Sequence, residues 1–352
     1  MNSQSRSGSP SANRLERETA SRLSTRSAPP SSEIPGIATD FPLRWRMPRN
    51  RLDFWQSFRA YFPSRLTGDQ MMDIFVLGPL QLRLRAKPAT PTARKHRQLL
   101  SLLLLNAGHT VNVEDLIRGL WDDTPPRSAH ITLQTYIAHL RKQIANGLDV
   151  DMNAAKEILV TTGSGYLLQS PVGYFDLQEY RGLRRDGAKL LASGTPAQAF
   201  ESLRKALSHW RGRALADVQP SRVLAAEIDR LEESKLRTVE EYLDFALRLG
   251  RNREHLDELS DLCVAHPLNE NFHLANMVAL YRCNLRADAL RTFRRLWDTT
   301  VNQLGLEPTT VIQRVHDAIL HSDDELLWVS MDNPFGVGPF IRASTPDRAL
   351  AR

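Results

Sequence analysis

The sequence predicts a mainly α-helical chain with a small β component: a winged helix-turn-helix domain followed by an all-α, tetratricopeptide-like domain. Three observations carry this. Between residues 71 and 170 the apolar period switches from two to 3.6 and back, giving strands, three helices and a hairpin in that order. From 171 to 321 the pattern is helical almost throughout, interrupted only at Gly and Pro positions. The third observation is one stretch, TLQTYIAHLRKQI (132–144), whose polar side carries no acidic residue.

The elements follow in chain order. Residues 1–40 are rich in Ser, Pro and Arg without a hydrophobic period, and are expected to be disordered. Residues 41–70 contain WRMPRNRLDFWQSFRAYF, aromatic residues among arginines. This suits a short amphipathic helix, an anchor on the next domain or an unstructured tail, and sequence does not choose among them. Residues 1–70 hold a balance of +5, against +3 for 71–170 and −2 for 171–352. The basic N-terminal extension therefore supplies most of the net +6, and the overall charge alone says little about nucleic-acid binding.

At Met71 the composition changes abruptly, which marks Met71 or Met72 as a candidate native start. MMDIFVLGPLQLRLR reads as two strands around Gly78-Pro79, with Leu80, Leu82 and Leu84 alternating against Gln81, Arg83 and Arg85. A helix over 94–107 follows, stopped by Gly108. Asn112 is placed to cap VEDLIRGLW, with Asp115 completing a box-like pair, and Pro125-Pro126 end that region. In the next helix Leu133, Ile137, Leu140 and Ile144 form a narrow apolar stripe. Thr132, Thr135, Tyr136, His139 and Gln143 lie elsewhere, with Arg141 and Lys142 near the end. ILVTTGSGYLLQ (158–169) then reads as a hairpin whose reversal Gly163 and Gly165 permit.

In a winged helix the third helix enters the major groove of double-stranded DNA and the hairpin lies along the backbone. Hydroxyl, imidazole and amide groups suit base edges, and Arg141 and Lys142 suit phosphates. The competing reading is a solvated helix in a protein-interaction domain.

Residues 171–322 break at Gly194-Thr195-Pro196, Gln219-Pro220-Ser221, Gly250-Arg251-Asn252, His266-Pro267 and Glu307-Pro308. AQAFESLR (197–204) and ADALRTFR (287–294) share small residues where paired helices approach closely. The ninety-residue offset is not a multiple of thirty-four, so any repeat is degenerate. Such an array offers surface for protein contact. Residues 323–352 form a C-terminal tail.

Enzymatic readings find no support. The sequence lacks GxxxxGK[ST], HExxH and GxSxG, and its histidines have no partners at ligand spacing, so no catalytic, cofactor or metal site is expected. Cys263 and Cys283 are expected to be packed thiols of a reducing compartment. The longest apolar run, LLSLLLLNA (99–107), is too short to span a bilayer, and the N-terminus lacks a secretory apolar core. The expected location is cytoplasmic, at the nucleoid.

In order and spacing, LGPLQL, RQLLSLLLLNAGHTV, LWDDTPP, TLQTYIAHLRKQI and TTGSGYLL resemble the Streptomyces antibiotic regulatory protein family. The similarity continues through FDLQEYRGL, LSHWRGRAL, HPLNENFHLANMVALYR and LGLEPTTVIQ, covering about 71–321. The resemblance implies an OmpR-type winged helix followed by a bacterial transcriptional activation domain. It implies a dimer on promoter direct repeats, contact with the RNA polymerase holoenzyme and control of an antibiotic gene cluster. It carries Thr132, Thr135, Tyr136, His139, Arg141 and Lys142 over as DNA contacts, with Thr162 and Ser164 on the wing. Many relatives have arginine where this chain has Ala138 and His139, so base preference there is expected to differ.

Overall fold

The computed structural model describes residues 72–169 and 173–322, all within one compact unit. Expectations for 1–70, for Met71 as a start and for the tail 323–352 fall outside the described residues.

Strands β1 (Met72–Phe75), β2 (Gln81–Leu84) and β3 (Lys87–Pro88) form an antiparallel sheet in that order. Ile74 stands opposite Leu82 and Met72 opposite Leu84, so the alternation read from sequence points Leu80, Leu82 and Leu84 into the core. The strand β3 was not anticipated. It returns through Arg85 and Ala86, both at positive φ (51° and 60°), as a primed hairpin turn demands. Neither residue advertises that conformation.

Helix α1 (Arg94–Leu105) is buried continuously from Gln98 to Leu105, so it runs through the centre rather than over the surface. Strand β4 (Thr110–Asn112) leads into α2 (Val113–Trp121). Asn112 does occupy the cap position, but its side chain caps no amide and instead reaches the Asp115 carboxylate at 3.4 Å. The expected reciprocal box is not formed. Helix α3 (Ala129–Leu148) ends on Asp149 in the left-handed conformation. A short helix, α4 (Met152–Ile158), follows, capped by the Asp151 carboxylate accepting from Ala154 at 2.7 Å. Strands β5 (Leu159–Thr161) and β6 (Gly165–Leu168) make the hairpin, and β4 adds to it in the order β4-β6-β5.

The hairpin corrects one expectation. Gly163 and Gly165 do not have positive φ, so neither supplies a left-handed turn. Gly165 is needed because a Cβ there would overlap the Val111 carbonyl of β4, whereas Gly163 faces open space.

The helical region comprises α5 (Asp176–Ala192), α6 (Pro196–Ser208), α7 (Arg222–Arg248), a 3-10 turn (Arg253–His255), α8 (Leu256–Ala265), α9 (Glu270–Arg282), α10 (Arg286–Leu304) and α11 (Thr310–His321). Breaks lie at each Gly and Pro site named from the sequence, and one more, unanticipated, lies at 283–285, where Asn284 takes a positive φ of 62°. Ser221 caps α7, Asn269 caps α9, and Gly194 takes the positive φ that lets α5 end before Pro196. Ala199 and Ala289, equivalent positions of the two similar segments, are both fully buried.

The winged helix does not keep its core to itself. One continuous hydrophobic cluster joins Met72–Leu168 residues to Leu177, Tyr180, Leu215, Leu224, Ile228 and Leu231. A second holds the rest, from Ala199 to Ile319. A polar seam runs along the join. The buried Asp176 carboxylate accepts from the amides of Val76 (2.9 Å) and Leu77 (3.0 Å), and Asp217 accepts from Leu80 (2.7 Å) and from Arg97. Asp122, at the end of α2, accepts from the first amide of α7, that of Arg222, at 2.8 Å. The winged-helix and helical regions thus share both apolar and polar packing.

Candidate nucleic-acid interface

The stripe Leu133, Ile137, Leu140 and Ile144 is buried against the winged-helix core. That orientation decides what the rest of α3 shows. Directly opposite lie Ile131, Thr135, Ala138, His139, Lys142 and Asn146, all exposed, the last five spaced four, seven, eight, eleven and fifteen from the first. Thr132, Tyr136 and Gln143 occupy one flank of the stripe, and Arg141 the other.

The flank residues are tied into the protein. Tyr136 is half-buried, 4.6 Å from the His96 ring and stacked at 6.2 Å on Trp121. The Gln143 amide donates to the Ala89 carbonyl at 3.1 Å. Arg141 donates through Nε (2.9 Å) and Nη2 (2.6 Å) to the Leu159 carbonyl, and through Nη2 to the Thr161 hydroxyl at 2.8 Å. These bonds brace α3 against the first strand of the wing. Burial lowers the pKa of Arg141, with no consequence for its charge at neutral pH.

On the outward face, Thr135 donates to the Ile131 carbonyl at 3.0 Å, which leaves its oxygen as an acceptor. Thr132 lies within 3.3 Å of the Ser128 hydroxyl near the helix start. His139 is exposed and sits edge-on to His96, with ring centroids 4.5 Å apart. Burial first, and then the neighbouring His139, hold His96 below the ordinary imidazole pKa, which favours the neutral ring beneath α3. Lys142 is exposed. At the wing tip the Thr162 hydroxyl accepts from the Gly165 amide at 3.1 Å, so its first task is to close the turn. Ser164 is exposed, and its carbonyl accepts from the Val113 amide at 3.1 Å.

Sequence reasoning grouped the polar residues and so passed over Ile131, Gln134 and Asn146, and named Ala138 only as a departure from relatives. The angle opposite the stripe would have found Ile131, Ala138 and Asn146. Ile131 is 69% exposed in the first turn of the helix, and an outward apolar side chain there suits a thymine methyl group. The helix has no carboxylate along its whole length; Glu114 of α2 stands 3.7 Å from His130 beside its first turn.

Residues 88–168 match the model of the transcriptional regulatory protein C-terminal family, and residues 175–320 that of the bacterial transcriptional activator domain. The regulatory protein DnrI of Streptomyces peucetius is 41% identical over 72% of this chain and 93% of its own length. The chain belongs to the Streptomyces antibiotic regulatory protein family. AfsR of Streptomyces griseus is 32% identical over 71% of this chain, which spans only 25% of that longer protein. Among solved structures, Mycobacterium tuberculosis EmbR in complex with a low-affinity phosphopeptide aligns with a TM-score of 0.66 and 28% identity. The alignment covers 71% of this chain and 65% of that one. As a member of this family the chain is a transcriptional regulator with an OmpR-type domain and a helical activation domain.

No helix among the described residues is long and apolar enough to cross a membrane. Burial pushes the Cys263 thiol up to about 12, where it is an inert packed group.

Proposed function

We propose that this chain is a sequence-specific DNA-binding activator of a secondary-metabolite gene cluster. It binds promoter direct repeats as a head-to-tail dimer through α3 and contacts RNA polymerase through its helical region. The observation that carries the reading is the outward face of α3: Ile131, Thr135, Ala138, His139, Lys142 and Asn146, exposed in one line with no carboxylate among them. Such a face repels nothing on DNA and offers acceptors, a switchable donor and an apolar contact to base edges. In this assignment Thr135, His139 and Lys142 meet the groove, with Thr132 and Ser164 at its margins. Tyr136, Arg141 and Thr162 act through the surfaces they hold in place.

Repeats one helical turn apart put two recognition helices on the same side of the duplex. Footprinting upstream of neighbouring genes should show a protected pair of repeats, and inserting about five base pairs, half a turn, between them should abolish tight binding. Undiminished affinity for the shifted site would reject the head-to-tail dimer. Absence of any protected site would favour a protein-interaction adaptor instead.

A further inference from the structure

A cavity of about 320 Å3 lies between α5, α6, α7 and α9, far along the chain from the DNA-facing helix. Its volume is at the small end for a specific small-molecule pocket. Leu203, Leu243, Phe245 and Phe272 give it apolar walls, and the exposed Ala188 and Leu191 edge it.

One wall is of a different kind. Asp244 and Arg248, a turn apart on α7, pair at 2.8 Å with side chains only 18% and 14% accessible. The Asp244 Oδ1 atom is buried and accepts no hydrogen bond. Burial raises the pKa of this carboxyl despite the opposing Arg248 and Arg282, so the charge is poorly solvated. Glu240 and Glu241 also line the space, with Arg184 and Arg282 set behind the lining carboxylates. Glu241 is answered by Arg184 at 3.3 Å, and Glu240 accepts from Asn269 at 2.8 Å. Asp244 is therefore the acidic group whose hydrogen bonding is incomplete.

An ion pair withdrawn from water recovers its desolvation only when further hydrogen bonds complete it. We propose that this cavity binds a compact apolar molecule carrying a protonated amine, its hydrocarbon body against Leu203, Leu243 and Phe272 and its ammonium on Asp244. A carboxylate ligand would face the Asp244, Glu240 and Glu241 carboxylates, and a neutral one would forgo a charge-assisted bond. The site lies on α5 and α7, the two helices whose first residues, Asp176 and Arg222, are bonded to the winged helix. The inference does not depend on DNA binding.

The test titrates 4-phenylbutylamine, 4-phenylbutanol and 4-phenylbutyrate into the full chain by calorimetry. The amine should saturate one site, the alcohol should bind about tenfold more weakly, and the acid should not bind. Asp244→Asn should reduce the amine to the level of the alcohol. Ala188→Trp, at an exposed edge position, should block both while leaving the circular dichroism spectrum unchanged, and it decides the matter if Asp244→Asn fails to fold. Equal binding of all three probes, amine binding that survives Ala188→Trp, or no saturable amine binding at millimolar concentration would each overturn the proposal.

Discussion

The winged helix has two contrasting sides. On the side toward the helical region, Asp176, Asp217 and Asp122 bond to backbone amides, and apolar residues of both regions share one core. On the other, α3 presents Ile131, Thr135, Ala138, His139, Lys142 and Asn146 to solvent. A closed surface exists for stability. An open one of fixed shape, mixed polarity and no negative charge is suited to an anionic partner with readable edges. Substitutions should therefore separate into those that unfold and those that only unbind.

The largest effect is expected on the closed side. Asp176→Ala leaves the Val76 and Leu77 amides buried without acceptors and Arg211, 3.5 Å away, without its carboxylate. A loss of about 3 kcal/mol is expected from two orphaned amides and a broken charge contact. Urea unfolding followed separately by tryptophan fluorescence and circular dichroism measures it. Because the two regions share a core, both probes should shift together; independent transitions would break the picture of a joined unit.

The open side comes next. His139→Ala should cost roughly 1–3 kcal/mol on the cognate repeat, little on random DNA and nothing in unfolding. Equal losses on both DNAs would mean that α3 only positions the protein. His139→Arg should regain affinity while shifting the preferred base toward guanine, which a binding-site selection would reveal.

The neighbouring pair Arg141 and Lys142 shows where the sequence was legible and where it was not. The stripe Leu133, Ile137, Leu140 and Ile144 was readable because burial follows helical period, and it fixed which face of α3 looks outward. The order of strands, helices and hairpin followed for the same reason, as did the Gly and Pro breaks of the helical region. Arg141 was read as a phosphate ligand because its charge was visible, whereas the Leu159 carbonyl that it meets belongs to a strand eighteen residues on. The turn at Arg85-Ala86 and the contact of Gly165 with Val111 were hidden likewise: each depends on what another segment places nearby. The contacts of Thr162 with Gly165 and of Tyr136 with His96 and Trp121 were equally invisible to periodicity. Periodicity reports a residue's side, and only the fold reports its partner.

That difference gives a smaller, sharper prediction. Lys142→Ala should weaken binding to all sequences alike and flatten the log–log salt dependence by about one unit. Arg141→Ala should instead cost about 1 kcal/mol of folding stability through the lost wing brace, with the salt slope less affected. Affinities measured across a salt series, alongside denaturant midpoints, distinguish the two. If Arg141→Ala flattens the slope as fully as Lys142→Ala and leaves stability intact, the guanidinium leaves the wing for phosphate when DNA binds.

The smallest effect expected is pH dependence centred on His96, the ring beneath Tyr136 and His139. Burial and His139 lower its pKa in the folded protein, so the unfolded chain takes up its proton first as pH falls. Its contribution to stability is therefore fully present above the ordinary imidazole range and is lost on acidification through the depressed folded value. Denaturant midpoints compared between about pH 7.5 and about pH 5 should fall more in the unsubstituted protein than in His96→Phe, which keeps the aromatic packing and removes the titration. Equal falls would show that the proton reaches this ring without opposing the fold. The ring beneath the outward face of α3 would then be no part of what keeps that helix in place.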